Sequence, residues 1–163
     1  MDILKIYEYA LAREHEGKRF FDSNAERMSH SAAVGAFQQL AAEEQKHIYF
    51  INLQIEIVKS GKPSDASAGV EMEQAGFFTQ RASLASIDQT VAEAMVPDLP
   101  ILRMAYLIER DFAEFYEMSA QKTEGEAQRV LAMLAHWERG HERYFKEWHD
   151  KIFNEYANMP WGG

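Results

Sequence analysis

The chain has 163 residues, of which 47% are aliphatic or aromatic, and no cysteine. That size buries a full core as one domain without staples, and the missing thiols exclude disulfides, zinc ribbons, thiol catalysis and iron–sulfur clusters. The net charge of −9 argues against nucleic acid and an anionic membrane as partners and is compatible with attracting cations. Residues Met1 to Lys5 open an amphipathic pattern with no apolar run of signal-peptide length, and no stretch is long enough to span a bilayer. A soluble cytoplasmic protein is expected.

The first helix is predicted from about Asp2 to Met28, with Asp2 as N-cap. Its inward seam reads Ile3, Tyr7, Ala10, Glu14, Gly17, Phe21, Ala25, Met28, in steps of three and four. Glu14 therefore stands where the pattern demands an apolar residue, whereas Glu8, Arg13, Glu16 and Lys18 fall off the seam toward water. After the break Ser29-His30-Ser31, a second helix is predicted from Ala32 to Ser60, with seam Phe37, Leu40, Glu44, His47, Ile51, Ile55, Val58. Gly61 and Pro63 stop it, and the short connection makes an antiparallel hairpin.

Residues 61–97 read as a crossover, with Ser86-Ile87-Asp88-Gln89 resembling a capping box that opens a short helix ending near Met95. A helix of roughly 25 residues spans about 38 Å, and a linker of this length crosses the bundle end to end. The second and third long helices then run the same way, and the two hairpins are related by a pseudo-two-fold axis. The third helix is predicted from Ile101 to Lys122, on the seam Leu102, Ala105, Glu109, Phe112, Tyr116, Ser119. The fourth is predicted from Glu126 to Tyr156, on the seam Ala127, Leu131, Leu134, Glu138, His141, Phe145, Trp148, Ile152. Residues 157–163 form a tail in which Trp161 is available to pack. The expected fold is all-α: one domain over 1–163, a bundle of four long helices in two hairpins.

The seams carry a repeated chemistry. Glu44-x-x-His47 and Glu138-x-x-His141 each place a carboxylate and an imidazole on one helix face. Glu14 and Glu109 precede them by 30 and 29 residues. Leu40 and Leu134 each precede their pair by four, so the halves form a weak internal repeat. Four carboxylates facing one core repel and lose hydration unless compensated, and two divalent cations balance them with both histidines neutral. The six residues therefore predict a dinuclear metal site. Its oxygen-rich donor set suits iron(II) or manganese(II), with zinc as a substitute. Glu44 and Glu138 are expected to bridge, and Glu14 and Glu109 to be terminal. His15, His30, His136 and His149 are expected outside the site, and Glu16, Glu43, Glu114 and Glu142 on a solvated face. Phe20, Phe21, Phe112, Tyr116, Tyr144 and Phe145 read as core. Tyr116 and Tyr106 are in phase to reach a ligand carboxylate.

The residues from Ala12-Arg13-Glu14 to Phe20-Phe21, Glu43 to His47, Ile108-Glu109 to Phe115-Tyr116, and Glu138 to His141 resemble the rubrerythrin-related branch of the ferritin-like superfamily. The resemblance covers all four long helices. It implies a ferritin-like bundle with a di-iron carboxylate centre, peroxidase or oxygen-reactive chemistry, and pairing into homodimers. The chain departs from rubrerythrins proper in three places. Without cysteine it has no rubredoxin-like domain, so an external electron donor is needed. Phe112 stands where rubrerythrins carry a seventh carboxylate, and Phe21 where relatives often place tyrosine. The leading expectation is a di-iron oxidoreductase that reduces hydrogen peroxide or dioxygen. The alternatives are non-catalytic iron binding, ferroxidase activity or iron delivery, and, third, an interaction module whose centre is structural.

Overall fold

The computed structural model describes residues 2–81 and 89–160. In chain order the helices are α1 (Ile3–Ala25), α2 (Ser31–Lys59), α3 (Ser67–Ala75), α4 (Phe78–Arg81), α5 (Gln89–Ala94), α6 (Leu99–Ala120) and α7 (Gly125–Asn158). The four long ones, α1, α2, α6 and α7, are those the seams predict, with ends shifted by up to three residues. The Asp2 carboxylate accepts hydrogen bonds from the backbone of Leu4 at 3.1 Å and Lys5 at 3.4 Å, satisfying N–H groups that the first turn leaves over. His30 does the same for α2, its Nδ1 accepting from Ala32 N at 3.1 Å. Gly61 follows α2 at φ +80°, a left-handed conformation that suits glycine. α6 begins at Leu99 rather than Ile101, because Pro100 sits in the first turn, where a missing N–H costs nothing.

Two apolar clusters hold the bundle. One joins Phe21 and Ala25 of α1, Ala33 and Phe37 of α2, Leu102 and Ala105 of α6, and Phe145, Trp148 and Ile152 of α7. The other joins Tyr7 and Ala10, Phe50 and Ile51, Phe112 and Tyr116, and Leu131 and Leu134 from the same four helices. The first cluster thus gathers the C-terminal half of α1, the N-terminal halves of α2 and α6, and the C-terminal half of α7. Hairpins α1–α2 and α6–α7 are antiparallel, α2 and α6 are parallel, and the chain between them crosses the bundle end to end as predicted.

The crossover is fastened at identifiable points. The Gln54 side chain brackets Asp65, donating to its carbonyl at 2.6 Å and accepting from its N–H at 2.9 Å. Tyr7 and Ser64 share a buried hydroxyl hydrogen bond at 2.8 Å. Gly69 lets α3 lie close to the bundle, since a Cβ there would sit 2.9 Å from Phe50 Cζ and closer still to Met133 Sδ. Buried Asp98 accepts the Ser29 N–H with both carboxylate oxygens, at 2.9 and 3.0 Å, tying the α1–α2 turn to the start of α6. Ser86 to Asp88 of the expected capping box, and Trp161, lie outside the described residues. Among the described residues, no helix is long and apolar enough to cross a membrane.

Candidate metal centre

Between the two apolar clusters the bundle has a polar waist. Glu14 comes from α1, Glu44 and His47 from α2, Glu109 from α6, and Glu138 and His141 from α7. All six are buried, none more than 1% exposed. All six side chains predicted from the seams therefore meet. Ligand atoms of Glu44, His47, Glu138 and His141 lie within 4.8 Å of one another. The two imidazoles stack at 5.2 Å between centroids, tilted by 10°.

The carboxylates are distributed symmetrically. His47 Nδ1 lies 2.8 Å from Glu138 Oε1, 3.3 Å from Glu14 Oε2 and 3.8 Å from Glu44 Oε2. His141 Nδ1 lies 3.1 Å from Glu44 Oε1, 3.2 Å from Glu138 Oε2 and 3.4 Å from Glu109 Oε2. Glu44 and Glu138 each turn one oxygen to each imidazole, whereas Glu14 is beside His47 alone and Glu109 beside His141 alone. Despite this crowding, both oxygens of Glu44, Glu109 and Glu138, and Nδ1 of His141, are buried without a hydrogen-bond partner among the described residues. Buried polar atoms ordinarily pair. Carboxylate oxygens from four helices that converge on two imidazoles, most of them without a well-directed hydrogen bond among the described residues, are a donor set arranged around shared points, which fits metal ions.

The electrostatics agree. Burial, and then repulsion from Glu138, Glu109 and Glu14, push Glu44 well above the usual carboxylate range. Burial and Glu138 do the same to Glu109. Burial acts to raise Glu138 too, but His47 and His141 outweigh it and hold that carboxyl below its ordinary value. Both imidazoles stay protonated well above their usual range, because the carboxylates override the burial that would discharge them. Protons thus do the compensating in the cluster by itself, and divalent cations can replace them.

Around the cluster, the Tyr116 hydroxyl donates to Glu14 Oε1, so of the two tyrosines predicted within reach, Tyr116 touches the site. Tyr106 instead packs edge-on against His149. Gly17 admits the ring of Phe112, since a Cβ there would lie 2.9 Å from Phe112 Cε2 and 3.4 Å from Glu44 Oε2. His15, His30, His136 and His149 lie outside the cluster, as expected.

Other expectations fail too. Glu142, assigned to a solvated face, has a side chain only 15% exposed and accepts from Arg139 at 2.6 Å. Arg13, assigned to water, is half-buried and lies over the Phe112 ring at 4.7 Å, where a cation meets the negative face of the π-system. Glu43, assigned to a solvated face, is 2% exposed. Its Oε2 lies 2.9 Å from His141 Nε2, and its carboxylate accepts the backbone N–H groups of Phe78 and Thr79, the latter at 3.4 Å. The signal was a second stripe on α2: Ala36, Leu40, Glu43, His47, Phe50 and Gln54 are spaced by four and three and are all buried. α2 packs against α1 on one side and against the crossover on the other, so it buries two stripes rather than one.

A helical bundle whose two antiparallel hairpins enclose a cage of four carboxylates and two imidazoles defines a ferritin-like protein. The family model for rubrerythrin matches residues 5–149, and the chain belongs to the rubrerythrin family. No curated protein and no solved structure matches it.

Proposed function

We propose that the chain is a di-iron carboxylate oxidoreductase that reduces hydrogen peroxide or dioxygen with electrons from an external donor. The observation that carries this reading is the fully buried cage of Glu14, Glu44, His47, Glu109, Glu138 and His141, in which most carboxylate oxygens lack hydrogen-bond partners among the described residues. In this reading Glu14 and His47 serve one metal, Glu109 and His141 the other, and Glu44 and Glu138 are shared. An oxygen-rich set with one imidazole per metal favours iron(II), with manganese or zinc as substitutes. Bound iron supplies one electron from each of two ions, the number needed to reduce one peroxide to two waters.

The chain's own residues do the rest. Tyr116 holds one oxygen of Glu14 and leaves the other turned to His47. Phe112, packed against Gly17, walls one side of the cage. A cavity of about 50 Å³ adjoins His141, lined among others by Phe77, Thr79, Trp137 and Gly140, with room for a water- or peroxide-sized molecule. The 163 residues contain no cysteine with which to hold an iron–cysteine electron-entry centre, and in this reading the reducing equivalents come from a donor outside them. Homodimers are the expected assembly.

Anaerobic iron loading followed by rapid mixing with peroxide tests the proposal. Two irons per chain, oxidised within seconds at one peroxide per site, are expected. Two irons that stay ferrous for minutes favour the second reading, an iron-binding or delivery protein, for which the absence of cysteine in the chain speaks. No bound iron overturns both.

A further inference from the structure

The two halves of the cage differ in what stands behind each histidine. The residue preceding the glutamate of each Glu-x-x-His pair is Glu43 in one half and Trp137 in the other. Each reaches across to the imidazole of the opposite pair. Glu43 Oε2 is 2.9 Å from His141 Nε2, and a carboxylate can only accept there, so Nε2 keeps its proton and Nδ1, which faces Glu44, Glu109 and Glu138, is the nitrogen that gives up its proton to a metal. Trp137 stacks on His47 at 5.2 Å and 21° and offers no acceptor. His47 Nε2 is buried with no hydrogen-bond partner among the described residues, and its Nδ1 is engaged by Glu14 at 3.3 Å. One histidine thus has a carboxylate behind its outer nitrogen that holds the tautomer and orientation a metal needs; the other has a stacked ring there, and its contacts to Glu14 and Glu138 are on the inward nitrogen.

Glu43 is itself held from the far side. Besides the N–H groups of Phe78 and Thr79, it accepts the Thr79 hydroxyl at 3.1 Å, so the start of α4 and His141 grip the same carboxylate. The Glu43 rotamer is fixed before any ion arrives.

We propose that the two metal positions are unequal and that Glu43 is the positioning residue that makes them so: the position served by His141 and Glu109 fills first, and the one served by His47 and Glu14 fills second. This rests on the metal-centre reading above. A carboxylate behind a ligating imidazole removes the cost of choosing tautomer and orientation and makes the ligand more basic, and such partners typically change metal affinity by about 10- to 100-fold. Among the described residues no comparable group stands behind His47 Nε2.

The test is an anaerobic Mn(II) titration of the full chain, with free Mn(II) followed by electron paramagnetic resonance. Two steps separated by about 10-fold or more are expected. Glu43→Gln, which keeps the shape but loses the charge, is expected to weaken the first step by about 10- to 100-fold and leave the second in place, so that the steps merge. A merely structural role for Glu43 would weaken both steps together. His47→Ala is expected to retain one Mn(II) at the first-step affinity, and His141→Ala to lose that step; circular dichroism checks that each variant keeps its helix content. Equal affinities in the unmodified chain, a parallel loss of both steps in Glu43→Gln, or retention of the tight step in His141→Ala overturns the inference while leaving a dinuclear site standing. If the unmodified chain binds neither Mn(II) nor Fe(II), the metal-centre reading itself falls.

Discussion

Glu44 sits at zero exposure and faces three other carboxylates, and among the described residues neither of its oxygens has a well-directed hydrogen bond, His141 Nδ1 lying 3.1 Å from one of them. In the chain without metal, such a group costs stability, whether it is charged and repelled or protonated and held away from water. Glu44→Gln keeps its volume and removes that cost. The metal-free variant is expected to be more stable by about 1–2 kcal/mol at pH 8, a Tm higher by roughly 2–8 °C, while binding of the second metal is lost. Scanning calorimetry in chelator and metal analysis after loading check the two halves; a Glu44→Gln protein less stable than the parent without metal would sink the argument. A residue that improves stability when removed is one retained for function. At this scale the six cage residues were legible because each breaks an apolar seam, and an interrupted pattern is visible in one dimension. Glu43 and Arg13 were not, because what buries them comes from elsewhere in the chain: the start of α4 for Glu43, the Phe112 ring for Arg13.

The long helices follow from local rules that a sequence displays: N-caps, proline in a first turn, glycine after a last one, and apolar spacing of three and four. The crossover shows little of this beyond Gly76, which follows α3 at φ +80°, and its position depends on single contacts. Gln54 fixes where it starts, Gly69 lets α3 approach, and Glu43 caps α4. None of these residues announces itself, since each is polar or small and its partner is distant in sequence. Gly69 offers a direct trial of how independently the crossover docks. Gly69→Val puts branched carbon where Phe50 and Met133 already stand, and overpacking of this kind costs about 1–3 kcal/mol. Phe50 is fully buried and has little room to yield. Amide hydrogen exchange is expected to accelerate over residues 67–75 and to change little in α6. If α6 loosens equally, α3 is an integral part of the bundle rather than a strap laid across it.

For the molecule as a whole, the cage sets how stability depends on pH. Glu44 and Glu109 are raised well above the ordinary 4.5, and His47 and His141 well above the ordinary 6.5. An unfolded chain sheds these protons near the ordinary values; the folded chain keeps them to higher pH. Wherever the folded state binds more protons, stability falls as pH rises. The carboxyls contribute that slope upward from about 4.5 and the imidazoles from about 6.5. Glu138, held below its ordinary value, acts in the opposite sense, and its contribution is lost only as pH falls below that value. The metal-free protein is therefore expected to lose Tm steadily between pH 6 and pH 9. The net charge of −9 also grows more negative over this range and could mimic the trend through surface repulsion. Salt separates the two, because about 0.5 M NaCl screens exposed charges over a few ångströms but reaches the buried cage poorly. The slope should persist at high salt. With metal present, the same ligands must give up their protons to bind, so affinity grows with pH and the slope should flatten or reverse. Thermal unfolding at pH 6, 7, 8 and 9, in chelator and in excess Mn(II), supplies both curves. A metal-free Tm that stays level across that range at high salt would mean the cage does not hold its protons, and a slope unchanged by Mn(II) would mean the metal does not displace them.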